Sequence, residues 1–199
     1  LVTGASRGIG RATARALSEA GAAVYLAADG TREELSAVAA ECRAHNAFAR
    51  AEFGLFDLAD AADVQRMVEA ALAIFGRIDI LVNNAGIRIR HPFGDYAAAE
   101  FDQLVAVNVR APFLASQAVM PAMRANGGGR IITVASQNGI VATANSALYG
   151  LSKAALIYLT KAMALELAKD KIMVNAVSPG PIETEFTRAR MEREPGHRE

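Results

Sequence analysis

Apolar residues along this chain fall into two spacings. Short apolar-rich runs at Val24–Ala28, residues 78–82, residues 130–135 and Ile172–Val177 have the length and composition of strands, and Val24–Ala28 reads as a buried one. Between them lie longer segments with apolar positions three and four apart, the stripe of an amphipathic helix. These cover residues 9–20, 32–44, Ala61–Phe75, 100–124 and 146–168. Leu1-Val2 opens as a strand, and residues 48–56 hold another. Gly21 and Gly76 stand where helices take a C-terminal cap. Pro112 and Pro121 are candidate kinks in the segment 100–124. Strands alternating with helices predict an α/β fold, a doubly wound and mostly parallel sheet with helices on both faces, in one domain over residues 1–199.

The 199 residues suffice for one sizeable core. With 21 basic and 21 acidic residues the formal charge is zero, which argues against nucleic acid or an anionic membrane as the main partner. Cys42 is the one cysteine, so no intrachain disulfide can form, and its place on a helix reads as apolar filler. His45, His91 and His197 have no second ligand at metal spacing, so no metal site is expected. No segment reads as a membrane span or secretory signal, and the expected location is the cytoplasm. The chain opens on Leu1-Val2-Thr3 without an initiator Met and closes on a charged tail, so it reads as part of a longer protein.

Between the first strand and first helix lies Thr3-Gly4-Ala5-Ser6-Arg7-Gly8-Ile9-Gly10. Glycines there let the backbone approach a pyrophosphate, and the helix N-terminus adds unpaired N–H groups and a positive dipole. The spacing Gly-x-x-x-Gly-x-Gly departs from the commoner dinucleotide fingerprint, Gly-x-Gly-x-x-Gly. Asp29, 19 residues after Gly10 at the end of the second strand, can accept hydrogen bonds from an adenosine ribose and would repel a 2′-phosphate. That favours NAD. Arg7 and Arg32 argue for NADP, since either could meet the phosphate.

Tyr149 and Lys153 stand four apart, on one face of the helix 146–168. A free phenol keeps its proton to about pH 10, and a neighbouring cation stabilises the phenolate, making the Tyr a usable acid and base. With Gly4, Gly8 and Gly10, then Asn83-Asn84-Ala85-Gly86, then Tyr149-x-x-x-Lys153, the chain resembles the short-chain dehydrogenase/reductase family over essentially its whole length.

The resemblance implies a Rossmann-type domain and hydride transfer between NAD or NADP and a small alcohol or carbonyl substrate. Gly4, Ser6, Arg7, Gly8, Ile9 and Gly10 would hold the pyrophosphate turn, and Asp57-Leu58 the adenine edge. Asn84, Ala85 and Gly86 would line the adenosine side. Pro179, Gly180, Ile182 and Thr184 would pack beside the nicotinamide. Tyr149 would move the substrate proton, and Lys153 would favour the phenolate and hold the nicotinamide ribose. Ser136, 13 residues before Tyr149, would orient the substrate oxygen, and Asn108 would complete a water-linked relay. The substrate class is a secondary alcohol, a polyol or sugar, or a hydroxyacyl compound. The alternatives are an NADP-dependent 3-oxoacyl-thioester reductase and a catalytically silent redox sensor.

Two departures from the family are the absent first half-strand and the absent C-terminal strand region. Arg88, Arg90, His91 and Arg110 flank the expected active-site side and could steer an anion. Ile140, Val141, Ala142 and Ala144 hint at an apolar slot. The Ala-rich faces of 100–124 and 146–168 exceed what one sheet face covers, and in the family these helices form subunit interfaces, so a homodimer or homotetramer is expected.

Overall fold

A computed structural model describes residues 1–44 and 49–183. Thr184, His45, His197 and Phe48 therefore lie outside the described residues. Six strands form one sheet: β1 (Val2–Thr3), β2 (Val24–Ala28), β3 (Ala51–Leu55), β4 (Ile80–Asn83), β5 (Gly129–Val134) and β6 (Ile172–Val177). They stand in the order β3-β2-β1-β4-β5-β6, and every pairing is parallel. The order reverses beside β1, so a crevice opens at the carboxyl ends of β1 and β4.

Helices cover both faces of the sheet at its centre, which explains the apolar run of β2, whereas in β6 Met173, Asn175 and Val177 are exposed. All five residues of β2 are buried. Successive side chains serve opposite faces. Val24, Leu26 and Ala28 join Ala14, Leu35 and Val38, whereas Tyr25 and Ala27 join Met67, Val119 and Met123.

The helices obey local rules. In α1 (Gly8–Glu19), Gly21 at φ +90° ends the helix as expected: its N–H bonds Ser18 O, and Ala22 N–H reaches back to Leu17 O. Thr31 and Glu34 form a capping box on α2 (Arg32–Arg43). In α3 (Ala61–Phe75), Asp60 caps the start and Gly76 at φ 73° the end. Cys42 is fully buried on α2.

The expected helix 100–124 is present as unbroken helical backbone with a wider turn inside it. α4 (Ala98–Val105) leads into a π-helical turn (Ala106–Arg110) and then α5 (Ala111–Ala125). Pro112 occupies the first turn of α5, where its missing N–H is tolerated, and Pro121 lies inside that helix. The last helix, α6 (Ala147–Leu167), carries the Tyr149/Lys153 pair. Among the described residues, no helix is long and apolar enough to cross a membrane, and no cluster of His, Cys, Asp or Glu is placed to hold a metal.

Candidate active site

The turn after β1 is built from backbone that side chains would obstruct. Gly4 (φ +63°) and Gly8 (φ +54°) adopt the left-handed conformation that glycine tolerates. A Cβ on Gly10 would stand 2.1 Å from the Gly4 carbonyl oxygen, and one on Gly4 would stand 2.8 Å from the Ala85 Cα. Arg7 is the N-cap of α1 in extended conformation, and its side chain makes no capping bond. The start of α1 thus offers its first-turn N–H groups and dipole to an anion. A pyrophosphate fits this cradle.

Thr3 and Asn84 fasten the turn to the end of β4. The Thr3 hydroxyl accepts from the N–H groups of Asn84 (3.0 Å) and Ala85 (3.1 Å) and donates to Val82 O (3.3 Å). The Asn84 amide donates to Thr3 O (2.9 Å) and Gly4 O (3.1 Å). Asn83 turns the other way and donates to the buried Ser116 hydroxyl at 3.1 Å. The sequence motif thus has one amide for the nucleotide turn and one for the core. The anchoring role of Thr3 escaped the sequence reading, which used it only as a flank of the glycines.

At the opposite end of the crevice, α6 presents Tyr149 and Lys153 on one face. Lys153 is 3% exposed, donates from Nζ to Val134 O at 2.7 Å, and lies 5.7 Å from the centroid of the Tyr149 ring. Burial lowers its pKa from 10.5 to about 8. Ser136 follows β5 in extended conformation, and its hydroxyl accepts from Asn138 N–H at 3.1 Å.

Asn108 is fully buried in the π-helical turn. Its side chain accepts from Ile87 N–H (2.8 Å) and donates to Ile87 O (2.9 Å) and to the Ser152 hydroxyl (3.1 Å). Ser152 in turn donates to Tyr149 O at 2.8 Å. A chain of bonds therefore runs from the β4 exit loop through Asn108 to α6. Ser152 escaped notice in the sequence, and its position beside Lys153 was the available signal.

One cleft of about 650 Å³ joins the two ends. Gly4, Ser6, Arg7, Gly8, Ile9, Asp29, Asp57 and Leu58 line its first half, and Asn84, Ala85 and Gly86 its middle. Ser136, Tyr149, Lys153, Pro179, Gly180 and Ile182 line the rest. Gly10 packs beneath the turn, and Asn108 stands behind the wall, against Gly86.

Several residues singled out from the sequence stand outside the cleft lining. Arg32 does not line the cleft and lies over the Phe53 ring at 5.6 Å. Arg90, His91 and Arg110 do not line it either: His91 bonds Glu100 at 2.9 Å, and Arg110 reaches Ala59 O. Ile140, Val141, Ala142 and Ala144 are exposed and outside the lining, where the polar Gln137, Asn138 and Thr143 stand instead. The loop's apolar composition misled because its backbone turns those side chains toward solvent.

A family model, short chain dehydrogenase, matches residues 1–195. L-xylulose reductase of Mesocricetus auratus is 42% identical, with 94% of this chain and 73% of that protein covered. The 3-oxoacyl-[acyl-carrier-protein] reductase of Escherichia coli is 40% identical (95% and 75% covered), and its 5-keto-D-gluconate 5-reductase 35% (98% and 75%). A short chain dehydrogenase from Burkholderia cenocepacia, solved in complex with NADP, superposes with a TM-score of 0.88 at 38% identity, covering 93% of this chain and 74% of that one. The chain belongs to the short-chain dehydrogenase family. It is an oxidoreductase of the class that acts on CH–OH or carbonyl groups.

Proposed function

We propose that this protein interconverts a secondary alcohol and a ketone on a small polyol, sugar or hydroxyacyl compound, with Ser136, Tyr149 and Lys153 as its reacting site. The observation that carries the reading is the placement of these three at one end of a single cleft whose other end is the glycine turn. When bound, the nicotinamide supplies or takes the hydride. Tyr149 takes the alcohol proton in oxidation and returns it in reduction. Lys153 keeps a positive charge beside the ring below about pH 8 and so favours the phenolate. The Ser136 hydroxyl donates to the substrate oxygen as charge develops there. Asn108 holds the Ile87 loop against α6 and keeps this geometry closed.

Asp29 in the lining supports NAD, while Arg7 in the same lining and the NADP complex of the Burkholderia relative support NADP. A 3-oxoacyl-thioester reductase is the second reading, supported by the Escherichia coli relative of that activity.

Titration of the protein with NADH and with NADPH tests the cofactor half. Tighter NADH binding that weakens in Asp29→Ala supports the ribose contact. Tighter NADPH binding moves Arg7 into that role. Binding of neither would sink the nucleotide reading. For the reacting site, Tyr149→Phe is expected to lower kcat by about 10²- to 10⁴-fold, with cofactor affinity changed by only a small factor. Full activity in that variant would remove Tyr149 from the mechanism.

A further inference from the structure

Arg110 closes the π-helical turn that carries Asn108. Residues two apart on a helical backbone point to nearly opposite sides, and this pair does so. Asn108 is buried and bonds Ile87 and Ser152 at the reacting end of the cleft. Arg110 is exposed and donates from Nη2 to Ala59 O, across 51 positions of chain. Val107, in the same turn, lines the cleft itself.

The segment that Arg110 grips joins β3 to α3 and presents Asp57 and Leu58 to the nucleotide half of the cleft. Its own bonds fix its shape. Asp57 N–H donates to the Asp63 carboxylate (2.9 Å), Ala59 N–H to the Asp57 carboxylate (2.8 Å) and Asp60 N–H to Asp57 O (3.0 Å). These tie the segment to the start of α3. Its separation from the π-helical turn is left to packing, and packing there is incomplete. Leu58, Ala85 and Val107 line the cleft and also wall a void of about 10 Å³. The Arg110 bond supplies a tie between the two sides, and a charged donor on a carbonyl makes one of the stronger hydrogen bonds.

We propose that Arg110 is a positioning residue for the dinucleotide: by holding Ala59 it seats the Asp57-Leu58 edge against the π-helical turn. One turn of helix thereby sets both ends of the cleft, with Asn108 bracing the reacting end and Arg110 the adenine end. The proposal rests on the nucleotide reading of the cleft above and adds a residue that stands outside its lining. Arg110 acts through the backbone it holds and touches neither cofactor nor substrate.

The test is calorimetric titration of the whole protein with NADH and with ADP-ribose, which keeps the adenine half and lacks the nicotinamide. NADPH and 2′-phospho-ADP-ribose replace them if NADPH binds tighter. In Arg110→Ala both ligands are expected to bind about three- to tenfold more weakly, the size of one ordinary hydrogen bond. The two losses should be equal, because the defect stays at the adenine end. Arg110→Lys, which keeps a donor of similar reach, should recover part of the loss. Unchanged affinity in Arg110→Ala overturns the proposal. So does a loss clearly larger for NADH than for ADP-ribose, which would place the defect across the whole cleft. A loss that vanishes at high ionic strength would make Arg110 a distant charge on the pyrophosphate and overturn it too. If the wild type binds neither NADH nor NADPH, the nucleotide reading beneath it falls as well.

Discussion

Lys153 brings a buried charge to the cleft at a cost that pH can reveal. Burial lowers its folded pKa from 10.5 to about 8, and the bond to Val134 O offsets only part of the penalty. In the unfolded chain the lysine returns to its ordinary value. Between about pH 8 and 10.5 the unfolded chain therefore binds a proton that the folded chain does not, and stability from this group rises with pH. Below about 8 the folded protein carries the full penalty, on the order of 3 kcal/mol. Lys153→Met removes it. In the ligand-free protein, the melting temperature of wild type minus that of Lys153→Met should rise from pH 8 to 10.5, which thermal unfolding at matched ionic strength would measure. A flat difference would mean that the ammonium is not penalised by burial. Among the candidate site residues, Tyr149 and Lys153 were legible as a pair from spacing, because a helical period fixes which side chains share a face, whereas Ser136, after β5, was named only through the family resemblance. Arg88 was legible only as one of four basic residues, and spacing did not say that it alone of them would line the cleft.

The π-helical turn is the element that sequence reading missed. Apolar positions run on through residues 100–124 without interruption, and one extra residue in a turn leaves no compositional trace. The prolines drew attention to the wrong positions, since Pro112 sits in a first turn, where its missing N–H is tolerated. What the wider turn does is aim Asn108 at the Ile87 backbone and at Ser152. Asn108→Ala would strip three hydrogen bonds, one buried and two partly buried, and leave the Ile87 N–H and C=O without this partner. A loss of about 2–4 kcal/mol is expected, seen as a melting temperature lower by roughly 5–15 °C. Activity should fall further than stability explains at a temperature where the variant is folded, because α6 loses its brace to the β4 exit loop. Unchanged kcat in the folded variant would limit Asn108 to a packing role. Strands and helix caps, by contrast, were read nearly to the residue at β2, α3 and β6, where apolar-rich runs or a left-handed glycine leave little freedom.

For the whole molecule, the sheet order could be read only as far as parallel pairing, because no local pattern says which strand lies beside β1. Its surface retains apolar residues on the helices after the switch in strand order: Leu165 is 83% exposed, Tyr158 75% and Leu151 50% on α6, and Phe101 and Phe113 42% each on α4 and α5. These fit the expected homodimer or homotetramer contact, and Leu165→Glu should shift the protein toward monomer in light scattering without loss of helical circular dichroism. A monomeric wild type would dismiss that expectation. The Thr3–Asn84 fastening carries a further consequence, for how the protein matures in a cell. It joins residues 81 positions apart in the chain, and α6 comes later still. The cradle and the phenol thus come together only after most of the polypeptide has been made and its long loops closed. A nascent or partly folded chain would have no dinucleotide site to fill, so cofactor availability would favour the finished state alone and stabilise weakened variants by an amount that grows with the logarithm of its concentration above Kd.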